Sequence, residues 1–354
     1  MEYKLGELVE QVTETNSELN FGLNDIVGVT IDKKIIPTIA NLKETDLKKF
    51  VIVSPNDFIY NPRTHGKRIG LGYNNTDRKF IATWNNNTFR IKEEKRNTIL
   101  SDYLYLYFSR EIWDKEACFN SWGSSTVVFS WDSFCDMKIN LPDIEEQKKI
   151  VKEYQVILNN KNIIEKENTI LESLAYTIYT ETIENCTEWL EINLGISTKI
   201  SAGGDNPSDT VLEKTEKCKI PVYSNGVTAD GLFGYTSKAK INEESITISA
   251  RGTIGFTAFR MQPYTPIVRL ISIIPNDNNI IEFLYMHFKY LKYDDDGSVQ
   301  KQATKPYFEA MNINIPRNVV KFKNKIRPIL KLIENNKQKC KLLEKILSLR
   351  LSTI

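Results

Sequence analysis

Two nonapeptides in this chain of 354 residues share five of their nine positions. The first, FCDMKINLP, occupies residues 134–142, and the second, FEAMNINIP, occupies residues 308–316. The interval of 174 residues is nearly half of the chain, far longer than the repeat of a solenoid. The chain is also longer than one hydrophobic core usually fills. We therefore predict a duplicated domain, with one copy in each half.

A long, helix-like stretch follows each nonapeptide, and apolar residues recur in it every seven positions. The first series is Ile150, Ile157, Ile164, Leu171 and Ile178, and the second is Ile326, Ile333, Cys340 and Leu347. A seven-residue apolar period sustained over several repeats is typical of a coiled-coil seam. We expect Ile163, Ile170 and Leu174 to widen the stripe of the first helix, and Pro328 to begin or bend the second.

The two helical stretches carry opposite charge. Residues 143–184 include nine acidic and five basic side chains, whereas residues 317–354 include eleven basic and two acidic ones. This difference favours packing of the two helices on each other. The alternative is two independent helices, each packed on its own domain.

Further similarities lie upstream of each nonapeptide. DYLYLYF at residues 102–108 parallels EFLYMHF at residues 282–288, and both segments are helix-like. Arg63 and Arg251 each end an alternating strand, and an Ile-Gly pair follows each of them. We predict a first domain at residues 1–143, a helix at 144–186, a second domain at 187–317 and a second helix at 318–354.

Composition and cysteine spacing exclude several classes of protein. Charged residues make up 26% of the chain, and no apolar run reaches membrane-spanning length, so we expect no membrane partner. The first residues do not form a signal peptide. The five cysteines are scattered, which favours reduced thiols in the cytoplasm over disulfides or a zinc ribbon. With two distant histidines, His65 and His287, no histidine-rich metal site is expected.

No catalytic motif stands in a workable frame. GKRIGLGYNN lacks the glycine spacing of a dinucleotide site, and DDDGSVQ lacks the ligand frame of a calcium loop. PDIEEQK contains nuclease-like carboxylates, Asp143 and Glu146, but carboxylates at this place are typical of a helix start. An adenine methyltransferase tetrapeptide, Asn-Pro-Pro-Tyr or Asp-Pro-Pro-Tyr, is also missing. We expect that the chain catalyses no reaction by itself.

Several segments together resemble the DNA-specificity subunit of type I restriction-modification systems. They are IPVYSNGVTADGLFGYTSKAKINEESITISARGTIGFTAF (residues 220–259), the FEAMNINIP nonapeptide and the long helix after each nonapeptide. In the first half, NPRTHGKRIGLGYNN and PDIEEQKKIV are similar to elements of the same family. The resemblance spans the whole chain. The chain is on the short side for the family, and its length indicates compact recognition domains.

The resemblance implies an α+β fold with two tandem target-recognition domains of mixed α/β structure. Each domain would be followed by a long helix, and the two helices would form an antiparallel coiled coil. Each domain would read one half of a split, asymmetric site in double-stranded DNA. Two modification subunits would methylate adenine N6 with S-adenosylmethionine, and two restriction subunits that use ATP and Mg²⁺ can join. No cofactor is expected on this chain itself.

Candidate DNA contacts are polar, basic or aromatic side chains on the loops that the resemblance marks. In the first domain they are Arg63, Lys67, Arg68, Tyr73, Asn74, Asn75 and Trp122. In the second they are Tyr223, Ser224, Asn225, Lys238, Lys240, Arg251, Thr253, Gln300 and Lys301. Arginine suits guanine, and amides suit adenine, in direct readout. The alternatives are an exposed loop that binds nothing, a core position for Trp122, and a buried arginine–carboxylate pair for Arg251.

Three other functions stay open. The nearest is a specificity subunit of a related, type II-like restriction-modification system. A coiled-coil adaptor that binds only proteins predicts no salt-dependent DNA binding. A nuclease that uses Asp143 and Glu146 predicts metal-dependent cleavage by the isolated chain.

Overall fold

The computed structural model describes residues 1–38, 45–65, 67–122, 127–291 and 304–354, with the side chain of residue 65 excepted. Its described residues divide into two compact units. The first unit is Met1–Ile164 with Lys339–Ile354, and the second unit is Glu165–Gln338. Each compact unit thus includes part of both long helices, whereas the domains expected from the sequence exclude them.

The first unit begins with a short strand and a one-turn helix. Its strands are β1 (Glu2–Lys4), β2 (Val9–Gln11), β3 (Val27–Val29), β4 (Ile35–Pro37), β5 (Val51–Val53), β6 (Phe58–His65), β7 (Arg68–Tyr73), β8 (Phe80–Ala82), β9 (Asn87–Ile91) and β10 (Lys138–Asn140). Its helices are α1 (Leu5–Leu8), α2 (Ser101–Phe108), α3 (Glu111–Phe119) and α4 (Trp131–Asp136). The long helix α5 (Ile144–Glu184) begins in this unit.

A four-stranded antiparallel sheet, in the order β2-β9-β6-β7, forms the centre of the first unit. Three smaller antiparallel pairs join β1 to β10, β3 to β4 and β5 to β8. Phe58 on β6 faces Phe89 on β9, and the two buried rings stack with centroids 5.1 Å apart. Aromatic side chains from the sheet and from α2 to α4 therefore build one core.

The second unit repeats this plan. Its strands are β11 (Trp189–Asn193), β12 (Thr198–Ala202), β13 (Ile220–Tyr223), β14 (Leu232–Thr236), β15 (Ser245–Ile248), β16 (Thr257–Arg260), β17 (Thr265–Pro266), β18 (Ile271–Pro275) and β19 (Asn312–Pro316). Its helices are α6 (Leu194–Ser197), α7 (Ile281–Tyr290) and α8 (Lys305–Glu309), and the long helix α9 (Val319–Ser352) begins here.

The two units share one strand order. The main sheet of the second unit is antiparallel in the order β12-β18-β15-β16, which matches β2-β9-β6-β7 strand for strand along the chain. A second sheet, β14-β13-β17, contains one parallel pair, between β13 and β17. β11 pairs with β19 as β1 pairs with β10. The predicted duplication is confirmed.

Each nonapeptide supplies a core phenylalanine and an edge strand. Phe134 of the first lies 5.8 Å from Phe108, ring centroid to ring centroid, and Phe308 of the second lies 5.7 Å from Phe288. All four rings are buried. Because Phe108 and Phe288 end the paired segments DYLYLYF and EFLYMHF, the repeated sequence elements contact each other within each unit.

A glycine in each one-turn helix permits that helix to pack against the nonapeptide. The sequence analysis did not identify these two glycines. A Cβ atom on Gly6 would lie 2.8 Å from Cys135 Cβ, and one on Gly195 would lie 2.6 Å from the backbone oxygen of Glu309. Real Cβ atoms do not approach so closely. The Leu-Gly pair in α1 and in α6 is therefore a further element of the repeat, read from KLGE and NLGI.

The long helices contact each other within each unit. In the first unit, Glu153 of α5 forms an ion pair with Arg350 of α9 at 2.8 Å, and Lys161 forms one with Glu344 at 3.3 Å. Val151 of α5 belongs to a core that Leu351 and Ile354 also contact. The start of α5 therefore meets the end of α9, and the two segments run antiparallel.

In the second unit, the end of α5 meets the start of α9. Ala175 and Tyr179 share a core with Ile326, Leu330 and Ile333. Asn336, which is 1% exposed, donates from its side-chain amide to Glu167 Oε2 at 3.0 Å. A buried asparagine that is paired in this way favours one register of two packed helices over others.

The structure corrects one sequence detail of the helices and settles two others. Ile163 and Ile170 are 63% and 68% exposed and Leu174 is also exposed, so these residues do not widen the packed stripe. Helix α9 begins at Val319 and continues through Pro328. Asp143 accepts a hydrogen bond from the backbone N–H of Glu146 at 2.9 Å, which is the capping role.

A buried ionic cluster joins α9 to the sheet and to α7 within the second unit. Arg327 donates to both carboxylate oxygens of Glu244 at 2.7 Å and to Glu282, whose side chain is fully buried. Burial raises the pKa of Glu282, and the Arg327 guanidinium opposes that rise. Removing Arg327 would leave a buried carboxylate without its partner, which is costly. The sheet and α7 of this unit are therefore fixed to the segment of α9 that lies in the same unit.

No helix among the described residues is long and apolar enough to cross a membrane.

Replacing Gly6 or Gly195 by alanine should destabilise the chain by about 1–3 kcal/mol, because the added methyl group overlaps atoms that cannot move away cheaply. This cost exceeds the gain of at most about 1 kcal/mol in helix propensity. Thermal unfolding measures the effect. Gly28→Ala is the matched control in the first unit, since no described atom lies within 4 Å of its added Cβ. Equal melting temperatures for all three variants and the parent would contradict the packing argument.

Candidate nucleic-acid interface

In the first unit, Arg63 and Trp122 lie on one face of a small β arrangement. Arg63 on β6 bridges to Val128, and Val128 bridges to Trp122. Because directly paired residues project to the same side, Arg63 and Trp122 flank Val128 on one face. Arg63 is exposed and Trp122 is 75% exposed, so the alternative of a core tryptophan is wrong. The pair presents a cation and an aromatic ring to solvent.

The turn between β6 and β7 carries two more of the candidates. Lys67 is exposed and adopts a positive φ of 67°. Arg68 is exposed and lies 3.4 Å from Asp32 and 3.7 Å from Asp114 in ion pairs. The guanidinium is thus partly neutralised, whereas the Lys67 ammonium has no ion-pair partner within the described ranges.

A buried ion pair between Lys33 and Asp114 stabilises this turn. The Lys33 ammonium donates to Asp114 Oδ1 at 2.6 Å and to the backbone oxygen of Ile69 at 2.7 Å. Asp114 also accepts from the backbone N–H of Ile69 at 3.0 Å. Burial lowers the pKa of Lys33, although the Asp114 carboxylate opposes the shift. The pair holds the β3–β4 hairpin, α3 and the first residues of β7 together.

The polar end of β7 is mostly structural. Asn74 is 1% exposed, and its amide donates to the backbone oxygens of Val53 and Arg78 at 3.3 and 2.8 Å. Tyr73 stacks on Phe58 and donates to Asn56 Oδ1, and burial raises its pKa to about 12. Only Asn75 of this triplet is exposed. The structure corrects Asn74 from a DNA contact to a residue that shapes the loop.

The first candidates in the second unit also act within the protein. The guanidinium of Arg260 lies 3.6 Å from the ring centroid of Tyr223, and burial raises the pKa of that tyrosine. Ser224 is half-buried, and its backbone N–H donates to Gly231 at 2.8 Å. Tyr223 therefore packs on a buried cation and offers little of its ring to a ligand.

Asn225 uses its side chain to join two loops. Its Nδ2 donates to the backbone oxygen of Val268 at 2.6 Å, and its Oδ1 accepts from the backbone N–H of Ala250 at 2.8 Å. Its amide edge is therefore occupied by the protein, which corrects its assignment as a base contact.

Lys238 and Lys240 are exposed on a loop that Asp209 holds at its base. The Asp209 carboxylate accepts from the hydroxyl of Thr236 and from the hydroxyl and backbone N–H of Ser237, at 2.5 to 3.0 Å. These three donors, the Ser237 hydroxyl first, lower the pKa of Asp209 to about 2. The two lysines thus project from an anchored loop.

Arg251 and Thr253 are exposed on the loop between β15 and β16, so the buried arginine–carboxylate alternative is wrong. Arg251, Arg269 and Lys305 line one open cavity of about 550 Å³. Apolar side chains, including Ile254 and Ile271, complete its walls.

Two predicted contacts, Gln300 and Lys301, lie outside the described residues.

Sequence reasoning missed two exposed side chains on matching loops. Trp84, which is 57% exposed, lies between β8 and β9, and Arg269 lies between β17 and β18, the equivalent strands. A lone tryptophan in TWNNN was the available signal for the first. Arg269 carried none, because TPIVRLIS reads as a continuous strand.

No group of three or more metal-ligating side chains is found in the ranges that the structure describes.

The carboxyl of Asp209 should titrate near pH 2 in the folded chain, well below its ordinary value of 3.8. The stability that this pKa shift contributes is present above about pH 4 and is lost as the pH falls through the folded pKa. Carboxyl-carbon NMR titration measures the value directly. In Ser237→Ala the hydroxyl donor is lost, and the pKa should rise towards 3.8. A titration near pH 4 in the unaltered chain would contradict the hydrogen-bond assignment.

Comparisons with known proteins show the family of this chain. The model of the type I restriction modification DNA specificity domain matches residues 1–174 and again residues 188–346. Two curated proteins of Mycoplasma pneumoniae, each named as a candidate type I specificity subunit, are 36% identical over 146 residues and 34% identical over 187 residues. These matches cover 40% and 51% of this chain, and 44% and 51% of the relatives. The chain thus spans about half the length of the curated relatives it matches.

A solved structure shows the same fold. The crystal structure of a type I restriction-modification system S subunit from M. genitalium aligns with a TM-score of 0.65 at 16% identity, over 99% of this chain and 94% of that one. At this identity the likeness concerns architecture alone. Because the family model covers both halves and nearly all of the sequence, the chain belongs to the type I restriction modification DNA specificity family and carries two copies of its domain.

Proposed function

We propose that this chain is the sequence-specific DNA-recognition subunit of a type I restriction-modification complex. Each unit would read one half of a split, asymmetric site. The observation that carries the proposal is the duplication: two units with one strand order present an exposed arginine at matched places, Arg63 at the end of β6 and Arg251 just after β15. A chain built twice around the same reading position suits a site with two parts.

The exposed side chains of both units suit DNA. Arginine presents paired donors to guanine in the major groove, and lysine neutralises phosphates without choosing a sequence. In the first unit Arg63 and Lys67 would provide these functions, and Asn75 and Trp122 would add an amide and an aromatic ring. Arg251 with Lys238 and Lys240 provide them in the second. Asp114 anchors the turn that carries Lys67, and Asp209 anchors the loop that carries Lys238 and Lys240. Such anchoring limits the loss of conformational freedom on binding.

The long helices would act as a coiled-coil spacer. Their antiparallel contacts in each unit support this role. The methylation chemistry would belong to two modification subunits that bind S-adenosylmethionine, and two restriction subunits would supply ATP- and Mg²⁺-dependent cleavage. This chain would bind no cofactor, catalyse no step and work in the cytoplasm. The capping role of Asp143 counts against the nuclease alternative.

Co-expression with a modification subunit in a methylation-free host, followed by base-resolution mapping of N6-methyladenine, tests the proposal. A split motif with a fixed spacer, absent when this chain is omitted, is the expected result. A folded complex that contains an active methyltransferase yet methylates no motif would remove the proposal and favour a protein-binding adaptor. A type II-like complex would give the same methylation map but would have no associated ATP-dependent restriction activity.

Arg63→Ala and Arg251→Ala should each relax recognition of a different half of that motif. The expected loss is about 1–3 kcal/mol where the arginine contacts a base. Each variant is the control for the other, since the half that it leaves unchanged shows that the complex is intact. Unchanged affinity and motif in both variants, or loss of the same half in both, would contradict the assignment.

A further inference from the structure

We propose that Arg269 is a specificity-determining residue of the second half-site, where it reads a base edge beside Arg251, and that Asn225 is the residue that positions both arginines. This inference rests on the proposed function, because the ligand is the DNA of that half-site. It adds a recognition residue that lies outside the repeated motifs.

Asn225 brings the two arginine loops together. Ala250, next to Arg251, belongs to the loop after β15, and Val268, next to Arg269, belongs to the turn before β18. The two hydrogen bonds of the Asn225 side chain bind one backbone atom from each loop, at 2.8 and 2.6 Å. Because the amide nitrogen and the amide oxygen of Asn225 each bond one loop, this side chain fixes the separation of the two loop backbones.

The turn that carries Arg269 is strained and firmly held. Val268 and Arg269 have φ values of 52° and 60°, which L-residues other than glycine seldom adopt. Such residues cost of order 1–3 kcal/mol each and persist where the surroundings over-determine them. Here the backbone N–H groups of both residues donate at 2.8 Å, to Gly204 and Gly203 respectively. The Arg269 side chain is therefore projected from a rigid backbone.

Close packing reinforces this turn. Gly203 directly follows β12 and lies against this turn. A Cβ atom on Gly203 would lie 2.7 Å from the backbone nitrogen of Ile267, so only glycine permits this close approach. Gly252, directly after Arg251, also adopts a positive φ of 67°. Both arginines thus lie in or next to backbone with a positive φ.

The cavity between these loops fits the edge of a base. Arg251 and Arg269 line it with Lys305, and Ala202, Ala250, Ile254 and Ile271 give it apolar walls. Neither guanidinium forms an ion pair in the part of the chain that the structure describes. A guanidinium binds guanine O6 and N7 with two parallel hydrogen bonds, and this contact demands fixed geometry. A phosphate contact demands less geometry, so the clamped turn and apolar walls favour base readout.

Methylation profiling of the complex tests the proposal with three variants, Arg269→Ala, Arg269→Lys and the surface control Lys219→Ala. Lys219 is exposed, and among the described residues its ion-pair partner is Glu216 alone. Both Arg269 variants should lose roughly 10- to 100-fold of the preference for one base pair of the second half-site, because the lysine ammonium lacks the rigid, planar pair of N–H donors of a guanidinium. The control should keep the parent motif, and thermal unfolding should show all three chains folded.

Asn225→Ala tests the positioning role. It should relax the base pair that Arg269→Ala relaxes and also the one that Arg251→Ala relaxes. At the Arg269 base pair the double variant should lose no more preference than Arg269→Ala alone, because both changes disrupt the same contact there. A merely structural asparagine would lower the melting temperature and leave the motif unchanged.

Two results would overturn the inference while leaving the proposed function intact. One is a parent motif that Arg269→Ala leaves unaltered. The other is an equal loss of affinity for all sequences with a shallower salt dependence, which marks a phosphate contact. If the parent complex itself directs methylation to no motif, the proposed function fails and this inference fails with it.

Discussion

Each unit depends on a contact between the strand before its one-turn helix and its nonapeptide. β1 pairs with β10 and β11 pairs with β19, so the strand that precedes the main sheet in the sequence lies beside the nonapeptide that follows it. The one-turn helix after this strand then packs on the nonapeptide through Gly6 or Gly195. Because a long helix follows each nonapeptide at once, both ends of the recognition part meet at the start of a helix. The sheet and its loops extend from this junction.

The junction also explains the buried polar residue in the sequence PDIEEQK. Gln147 of α5 is fully buried, and its amide donates to the backbone oxygens of Thr98 and Pro142 at 2.9 and 3.0 Å. Its oxygen accepts from the N–H of Leu100 at 3.0 Å. Both polar atoms of this side chain are used, and they fix α5 to the segment that leads into α2. A segment that looks like part of a nuclease site is thus part of a structural joint.

The duplication and the long helices could be predicted because they leave periodic signals. Apolar residues at fixed spacing, such as Ile326 and Ile333, must face a partner, and repeated sequence must build repeated packing. The extra stripe of Ile163 and Ile170 shows the limit of this reasoning, since periodicity does not say which apolar face is covered. The coiled-coil spacer and the domain boundaries stay predictions.

Side chains on loops were harder to assign, and amides hardest of all. Asn74 and Asn225 sit beside exposed basic residues, yet their amides satisfy backbone groups that a turn would otherwise leave unpaired. The sequence cannot distinguish such an amide from one that faces DNA. Exposure was easier to predict for arginine and lysine because burial of an unpaired charge is costly, and Arg63, Lys238 and Arg251 are indeed exposed. Their contact with bases or phosphates is a proposal.

The central claim is that two units read two half-sites. Equilibrium binding of the complex to four duplexes, namely the mapped motif, the motif with either half scrambled, and the motif with both scrambled, tests it most directly. The account predicts that either single scramble weakens binding, by about 1–3 kcal/mol for each base pair that is read, and that the double scramble weakens it further. Affinity that is unchanged when one half is scrambled would show that a single unit does all the reading, and would contradict the account.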